Sequence, residues 1–541
     1  MKNLSCFFTT VLTILLLNNI QINAVDRETV TAVPANDFLN TIGVNSSINS
    51  RGENITKTLE CAEYMGFRWI RAGIPDGVNL RPVHFRWLLQ RHVRVSCSIG
   101  NQGTIDDINN FVEGAKVVAG LGALIALEGP NEPNNWPVVY NGVSGGKGTT
   151  SWRPVAEWQR DMYAAVKADP VLKDYPVWNI CENGAQYDNM GLQFLTIPDG
   201  AGTLMPDGTK YADYACCHNY FVHGSSRQNN QTWNASDPSS ACPVDGLYGN
   251  YGNTWSKHFT GYTAEQLQTL PRVTTETGVT IDPLTNTEEI QALMYTSTYL
   301  AQFKRGWSYT AMYILRDRTD EGGNQTFGFY KPDYTPRKAA TYMHNFTNIL
   351  ADTLSIETPS EFTYSISPAR PATVHELLLQ KNNGTLMLVV WGEKYVRGAL
   401  ADNITVDFDA PLEVVNVYNS IAGTEPVATY KNVSSIPLAM LNHPYILEIN
   451  PVVTDIKNVY KEKSILAAVY PNPVEDFMYV ESSEGLKKVE LFDLTGKTVL
   501  QLSDVAAGKT TLNVASLAKG SYLLRLTDGK YKTENHKIIK L

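Results

Sequence analysis

From Ala123 to Asn134 the chain reads Ala-Leu-Ile-Ala-Leu-Glu-Gly-Pro-Asn-Glu-Pro-Asn. The apolar run Ala123 to Leu127 reads as a strand buried on both faces. It stops at Gly129-Pro130, a pair that ends regular structure, and just beyond it stands a carboxylate, Glu132, between Asn131 and Pro133. Pro133 biases Glu132 away from the helical region, so the chain is expected to leave the strand extended. A buried parallel strand that delivers an acid at its C-terminal end is how a (β/α)8 barrel presents a catalytic group. Asn followed by Glu-Pro also starts helices, so this stretch needs a second carboxylate to decide its meaning.

From Asp37 to Asp352 the strand-then-helix pattern repeats. Strands are expected at Thr41–Val44, Phe67–Ala72, Val93–Ile99, Ala123–Leu127, Val177–Ile180, Tyr214–Tyr220, Arg272–Thr275 and Tyr309–Leu315. Helices fall near Glu53–Tyr64, Ile105–Val118, Pro154–Ala168, Glu288–Phe303 and Pro336–Leu350. Alternating units over roughly 310 residues suit a barrel, since such folds run from ~200 to over 400 residues. Two connections are longer than a barrel needs. One, Trp136 to Trp152, is Gly-rich; the other, Val222 to Tyr262, carries Trp233, Tyr248, Tyr251 and Trp255. Both should wall the face that carries the strand ends, where aromatics either stack on sugar rings or pack the loop's own small core.

The second carboxylate is Glu276, in Arg-Val-Thr-Thr-Glu-Thr-Gly from Arg272 to Gly278. Counted in units, Glu132 ends the fourth strand and Glu276 the seventh, so both point into one cavity. Paired carboxylates across a cavity are what glycosidic cleavage requires: one is held protonated for the leaving oxygen and one stays ionised. Leaving both buried and unpaired would be costly without such a role.

At 541 residues the chain exceeds one core, and about two to four domains are expected. The net charge of −9, with no Lys/Arg block, argues against a nucleic-acid or anionic-membrane partner. Met1-Lys2 and the apolar run Phe7 to Leu17 read as a secretory signal peptide over residues 1–24; the run is too short to span a bilayer. Of the cysteines left after its removal, Cys61, Cys97, Cys181, Cys216 and Cys217 lie in or beside helix and strand patterns and read as buried thiols, while Cys242 sits in a loop and could pair. No cysteine or histidine spacing calls for a metal, and no cofactor is expected. After the barrel, alternating short segments such as Leu386 to Trp391 and Ile404 to Phe408 read as an antiparallel β-sandwich. The expected division is a barrel over 25–353, the sandwich over 354–451, a polar linker over 452–464 and a small all-β domain over 465–541.

On these residues the barrel resembles the clan A superfamily of retaining glycoside hydrolases. The likeness rests on Asn131-Glu132 at strand four, Glu276 at strand seven, His218-Asn219-Tyr220 at strand six, Arg71 ending strand two, and the segment Phe327 to Lys338 before the last helix. A barrel followed by a β-sandwich is most similar to families 39, 30 and 5. The resemblance implies Glu132 as acid/base and Glu276 as nucleophile, ~5–5.5 Å apart, acting with retention through a covalent glycosyl-enzyme. It implies that Asn131 bonds the hydroxyl beside the reacting carbon and that Tyr220 and Arg71 keep Glu276 ionised. His218 would line the subsite and orient Glu132, with Trp136 and Tyr313 also meeting substrate. Arg71 could instead be a barrel-end ion pair, and His218 and Tyr220 satisfied core residues. The strand-eight end offers Tyr313, with Arg316 and Asp317 after it, where the family commonly presents Trp. Glu128 either faces outwards or supports the site.

The tail carries Val469-Tyr470-Pro471-Asn472-Pro473, then Val489 to Lys497, then Gly520 to Leu526 and a basic end. It resembles a type IX secretion sorting domain, with a small carbohydrate-binding fold as the alternative. That resemblance implies a Bacteroidota protein handed to the type IX machinery and either secreted or held at the cell surface. The whole chain then reads as a secreted, endo-acting retaining glycosidase on a β-linked glycan. A transglycosylase, a glycan-binding protein or an adhesin on a barrel scaffold are the rivals.

Overall fold

A computed structural model describes residues 27–147, 151–182, 195–197, 199–200, 205–221, 227–238, 264–449, 467–493, 496–529 and 533–541. The signal segment, the linker 452–464, Cys242, and the aromatics Tyr248, Tyr251 and Trp255 lie outside them.

Eight parallel strands form the barrel: Ile42–Asn45, Trp69–Ala72, Arg94–Ser98, Leu124–Glu128, Val177–Trp178, Ala215–Cys217, Arg272–Thr274 and Tyr309–Met312. Each pairs with its sequence neighbour, and the eighth returns to the first through Thr310 beside Ile42. The seam between the fifth and sixth strands is thin, a single bridge from Trp178 to Tyr214. Inside the barrel Trp69, Trp178 and Tyr309 pack against one another with ring centroids 5.3 to 5.7 Å apart. Gly43 permits this filling, because a Cβ there would meet the Trp69 ring.

Helix ends follow local chemistry. The helix Ile55–Met65 is capped by the Asn54 side chain, which accepts the Lys57 N–H at 3.3 Å, and ends at Gly66 with φ 70°. The helix Ile105–Gly120 opens on a Thr104/Asp107 capping box. The stretch after Trp136 is not structureless: Val138–Tyr140 and Val143–Gly145 form a hairpin beside Gln102–Gly103.

Cys181 and Cys216 form a disulfide across the thin seam, with Cα atoms 5.1 Å apart. This corrects the reading of both as thiols: the closing of the barrel brings together two side chains that lie 35 residues apart in sequence. Cys61, Cys97 and Cys217 are buried and outside the disulfide, and burial pushes the thiols of Cys61 and Cys97 up to about 12. Replacing Cys181 and Cys216 together by serine is expected to cost about 3–4 kcal/mol through the loop they close. Urea unfolding of variant and wild type checks this, and coincident midpoints would show that the seam closes without the bond.

The sheet beside the barrel has its own surprise. Residues ahead of the barrel supply two of its strands: Glu28–Thr31 pairs with Glu361–Ser367, and Val33–Pro34 with Val374–Gln380. A barrel beginning at residue 25 is therefore corrected, since residues 28–34 extend the following sheet. The sheet's two faces serve different cores. Leu378, Leu388 and Val390 face its own core with Val406, Phe408 and Leu447. The alternate residues Leu377, Leu379, Met387, Val389 and Trp391 join the barrel's core. Burial on both faces explains the unbroken apolar runs Leu377 to Leu379 and Leu386 to Trp391.

The tail folds into a three-stranded and a four-stranded sheet around Val474, Met478, Val489, Leu491, Leu524 and Ile538. Among the described residues no helix is long and apolar enough to cross a membrane.

Candidate active site

Strand register brings the site together. Asn45 lies beside Arg71, Arg71 beside Ser96, and Ser98 beside Glu128, so the C-terminal ends of the first four strands stand level. A cavity of about 1300 Å3 opens over them, lined among others by Arg71, Asn131, Glu132, Trp136, Tyr220, Glu276 and Tyr313.

Glu132 does not leave its strand extended. Its φ is 44°, in the left-handed region, which corrects the expectation drawn from Pro133. Tertiary bonds outweigh the local preference. The Glu132 N–H donates to Cys181 O at 2.7 Å, the Asn131 N–H donates to the Asn101 side chain at 2.8 Å, and the Glu132 carbonyl accepts from Asn135 and Trp136. Strain of this kind costs of order 1–3 kcal/mol and persists where surroundings impose it.

Arg71 is the cation of the site. Its guanidinium grips Glu128 with two hydrogen bonds of 2.7 Å, donates to Glu276 Oε1 at 2.5 Å and reaches Asn131 Oδ1 at 2.9 Å. Burial opposes its charge, yet Glu128 and Glu276 hold it protonated well above its ordinary range. Tyr220 donates to Glu276 Oε2 at 3.1 Å. His218 Nδ1 stands 2.7 Å from Glu132 Oε1 and 3.4 Å from Glu276 Oε2. One oxygen of each glutamate and a ring nitrogen of His218 lie within 4.8 Å of one another.

The two carboxyls are buried side by side at the cavity floor and titrate together. Burial pushes Glu276 up and the Glu132 charge adds to it; the His218 and Arg71 charges and the Tyr220 hydrogen bond pull down without cancelling the rise. Burial also raises Glu132, but there the hydrogen bond and charge of His218, with Asn135 and Arg71, prevail and bring it below the ordinary value. Nδ1 of His218 stands 2.7 Å from Glu132 Oε1, so the contact that lowers Glu132 is also a short line along which a proton can pass.

The structure thus gathers Arg71, Asn131, Glu132, His218, Tyr220 and Glu276, with Trp136 and Tyr313 on the cavity wall. Trp136 is 62% exposed. The Tyr313 hydroxyl donates to Glu321 at 3.3 Å, and its ring packs edge-on to Phe327. Arg316 and Asp317 turn elsewhere: Asp317 pairs with Arg337 and accepts the Gly328 N–H, while Arg316 lies over the Tyr334 ring. Trp233 packs on His375 next to the following sheet. Glu128 supports the site from beneath. Thr275 and Asn135 were not singled out by the sequence. Asn135 follows Glu132 by three residues, a spacing that a helix-start reading of the segment brings into contact; Thr275 reads only as a strand former.

No curated protein matches the chain. Among solved structures, a family 39 glycoside hydrolase from the gut symbiont Bacteroides cellulosilyticus WH2 is similar at 15% identity and a TM-score of 0.49, over 77% of this chain and 81% of that one. The endo-β1,6-glucanase BT3312 is similar at 12% identity and a TM-score of 0.45, over 79% and 95%. Saccharomyces cerevisiae Gas2p in complex with laminaripentaose is similar at 13% identity and a TM-score of 0.37, over 59% and 69%. Residues 468–540 match the secretion system C-terminal sorting domain, which agrees with the motifs read in the tail and marks the chain for export to the cell surface or beyond.

Proposed function

We propose that the protein is an exported retaining glycoside hydrolase acting on a β-linked glycan. The observation that carries this reading is the pair of buried glutamates at the ends of strands four and seven, with oxygens within 4.8 Å across one open cavity. That spacing favours the ~5–5.5 Å carboxyl separation of double displacement over the ~6.5–9.5 Å that leaves room for an inverting water.

Glu276 attacks the anomeric carbon as the bond to the leaving oxygen breaks, and Glu132 gives that oxygen a proton. Water, deprotonated by Glu132, then releases the sugar from Glu276 with its configuration kept. Arg71 and Tyr220 hold the Glu276 carboxylate in line and offset its charge before attack. Asn131, fixed by Arg71 and Asn101, is placed to meet the hydroxyl next to the reacting carbon. The volume of the cavity and the exposed Trp136 at its wall favour an extended chain and endo action. No step calls for a metal or a cofactor. The tail would hand the enzyme to the type IX machinery.

The test is a panel of glucans, xylans, mannans, galactans and host-type glycans, scored for reducing ends released by wild type and by Glu276→Gln. Release from one glycan, lost in the variant, is expected. Binding without release in both proteins would favour an adhesin.

A further inference from the structure

We infer that Thr275 is a positioning residue: its hydroxyl fixes which nitrogen of His218 carries hydrogen and so keeps a transferable proton on the line between His218 and Glu132. The inference rests on the reading of Glu132 as acid/base. Thr275 is fully buried at the end of the seventh strand. Its Oγ1 lies 3.0 Å from Glu128 Oε1 and 3.1 Å from His218 Nε2, with the Cys181 and Cys216 sulfurs at 3.1 and 3.2 Å.

A hydroxyl has one hydrogen to give. Glu128, gripped by the Arg71 guanidinium, is the charged acceptor among these neighbours, and disulfide sulfurs accept weakly. The hydrogen therefore goes to Glu128, and the hydroxyl oxygen is left to accept from Nε2–H of His218. With hydrogen on Nε2, a neutral His218 offers Glu132 only the Nδ1 lone pair, and the 2.7 Å contact needs the proton on Glu132. A charged His218 offers N–H to the Glu132 carboxylate. Either way one proton lies between them. The opposite tautomer would set a bare Nε2 against an oxygen whose hydrogen is already given, and would let Glu132 sit unprotonated beside a neutral ring. The other charged and titratable groups facing His218 are Glu276 at 3.4 Å, with Tyr220 and Arg71 bonded to it, and Glu128 through Thr275.

Thr275→Val keeps the shape and removes the hydroxyl; Thr275→Ser restores it. On glycosides of the sugar found by the panel, Thr275→Val is expected to lose about 30- to 100-fold in rate with poor leaving groups, which need a proton. With dinitrophenolate, which leaves without one, the loss in kcat/KM, which reports only formation of the glycosyl-enzyme, should be under about 3-fold. Thr275→Ser should recover most of the lost rate. Equal losses with both leaving groups would overturn the inference and leave a packing role. The second measurement needs no substrate: 15N spectra of the full chain with labelled histidine, for wild type and Thr275→Val. A neutral His218 with hydrogen on Nε2, or a charged ring that loses its Nε2 hydrogen in Thr275→Val, supports the inference; a neutral ring with hydrogen on Nδ1, or a ring unchanged in Thr275→Val, overturns it. Hydrogen on Nε2 in a protein that cleaves no glycan would sink the glycosidase reading while leaving the role of Thr275 in place.

Discussion

Replacing Glu276 by alanine is expected to lower kcat/KM by about 10^4-fold or more, the scale set by removing a nucleophile from a preorganised site. The variant keeps the proton donor and loses the attacking oxygen, so the defect is chemical and the fold remains. Truncation also opens space beneath the anomeric carbon, where azide fits. Azide should restore part of the rate by attacking from the face Glu276 occupied, giving an α-glycosyl azide from a β-glycoside. Glu132→Ala leaves that face closed by Glu276, and azide there would give a β product through the second step. Rescue of Glu132→Ala alone, or a β-azide from Glu276→Ala, would reverse the two roles.

Arg71→Met should be the most damaging change to the fold among the site residues. Glu128 is fully buried, and Glu276 is 9% exposed. Both rely on one guanidinium at 2.5 to 2.7 Å. Removing the cation leaves Glu128 without its counter-charge and Glu276 with His218 alone at 3.4 Å, a loss of about 3–5 kcal/mol by comparison with other broken buried pairs. The penalty should shrink as pH falls, because protonation neutralises the stranded acids. Activity should change in a second, separable way. The Arg71 charge pulls Glu276 down against burial, so its loss moves Glu276 further up, and the acid limb of kcat/KM should shift to higher pH. Thermal unfolding and a pH–rate profile check the two effects. An unshifted acid limb would mean that the charge of Glu276 does not depend on Arg71.

The barrel was legible because its strands and helices announce themselves by different periods, and because the apolar run before Glu132 can only be buried on both faces. The placing of Glu132 and Glu276 at strand ends followed from counting units. What stayed hidden depends on closure. Residues 28–34 find partners more than 300 positions away, and nothing local to Glu28–Pro34 reports that. Cys181 and Cys216 meet only once strands five and six meet. The left-handed Glu132 defies the local bias of Pro133 because bonds from Cys181, Asn135 and Trp136 outweigh it. Thr275 reads as one β-branched residue in a strand; its four polar neighbours come from the ends of strands four and six and from the loop after strand five.

The most direct measurement of the central claim is the anomeric configuration of the first product, followed by proton NMR as the glycan chosen by the panel is cleaved. Two glutamates this close, acting by double displacement, predict that the β-anomer appears first and that the α-anomer grows in only at the rate of mutarotation. An α-anomer formed first would contradict the account, because it requires a water between the carboxylates and an inverting reaction.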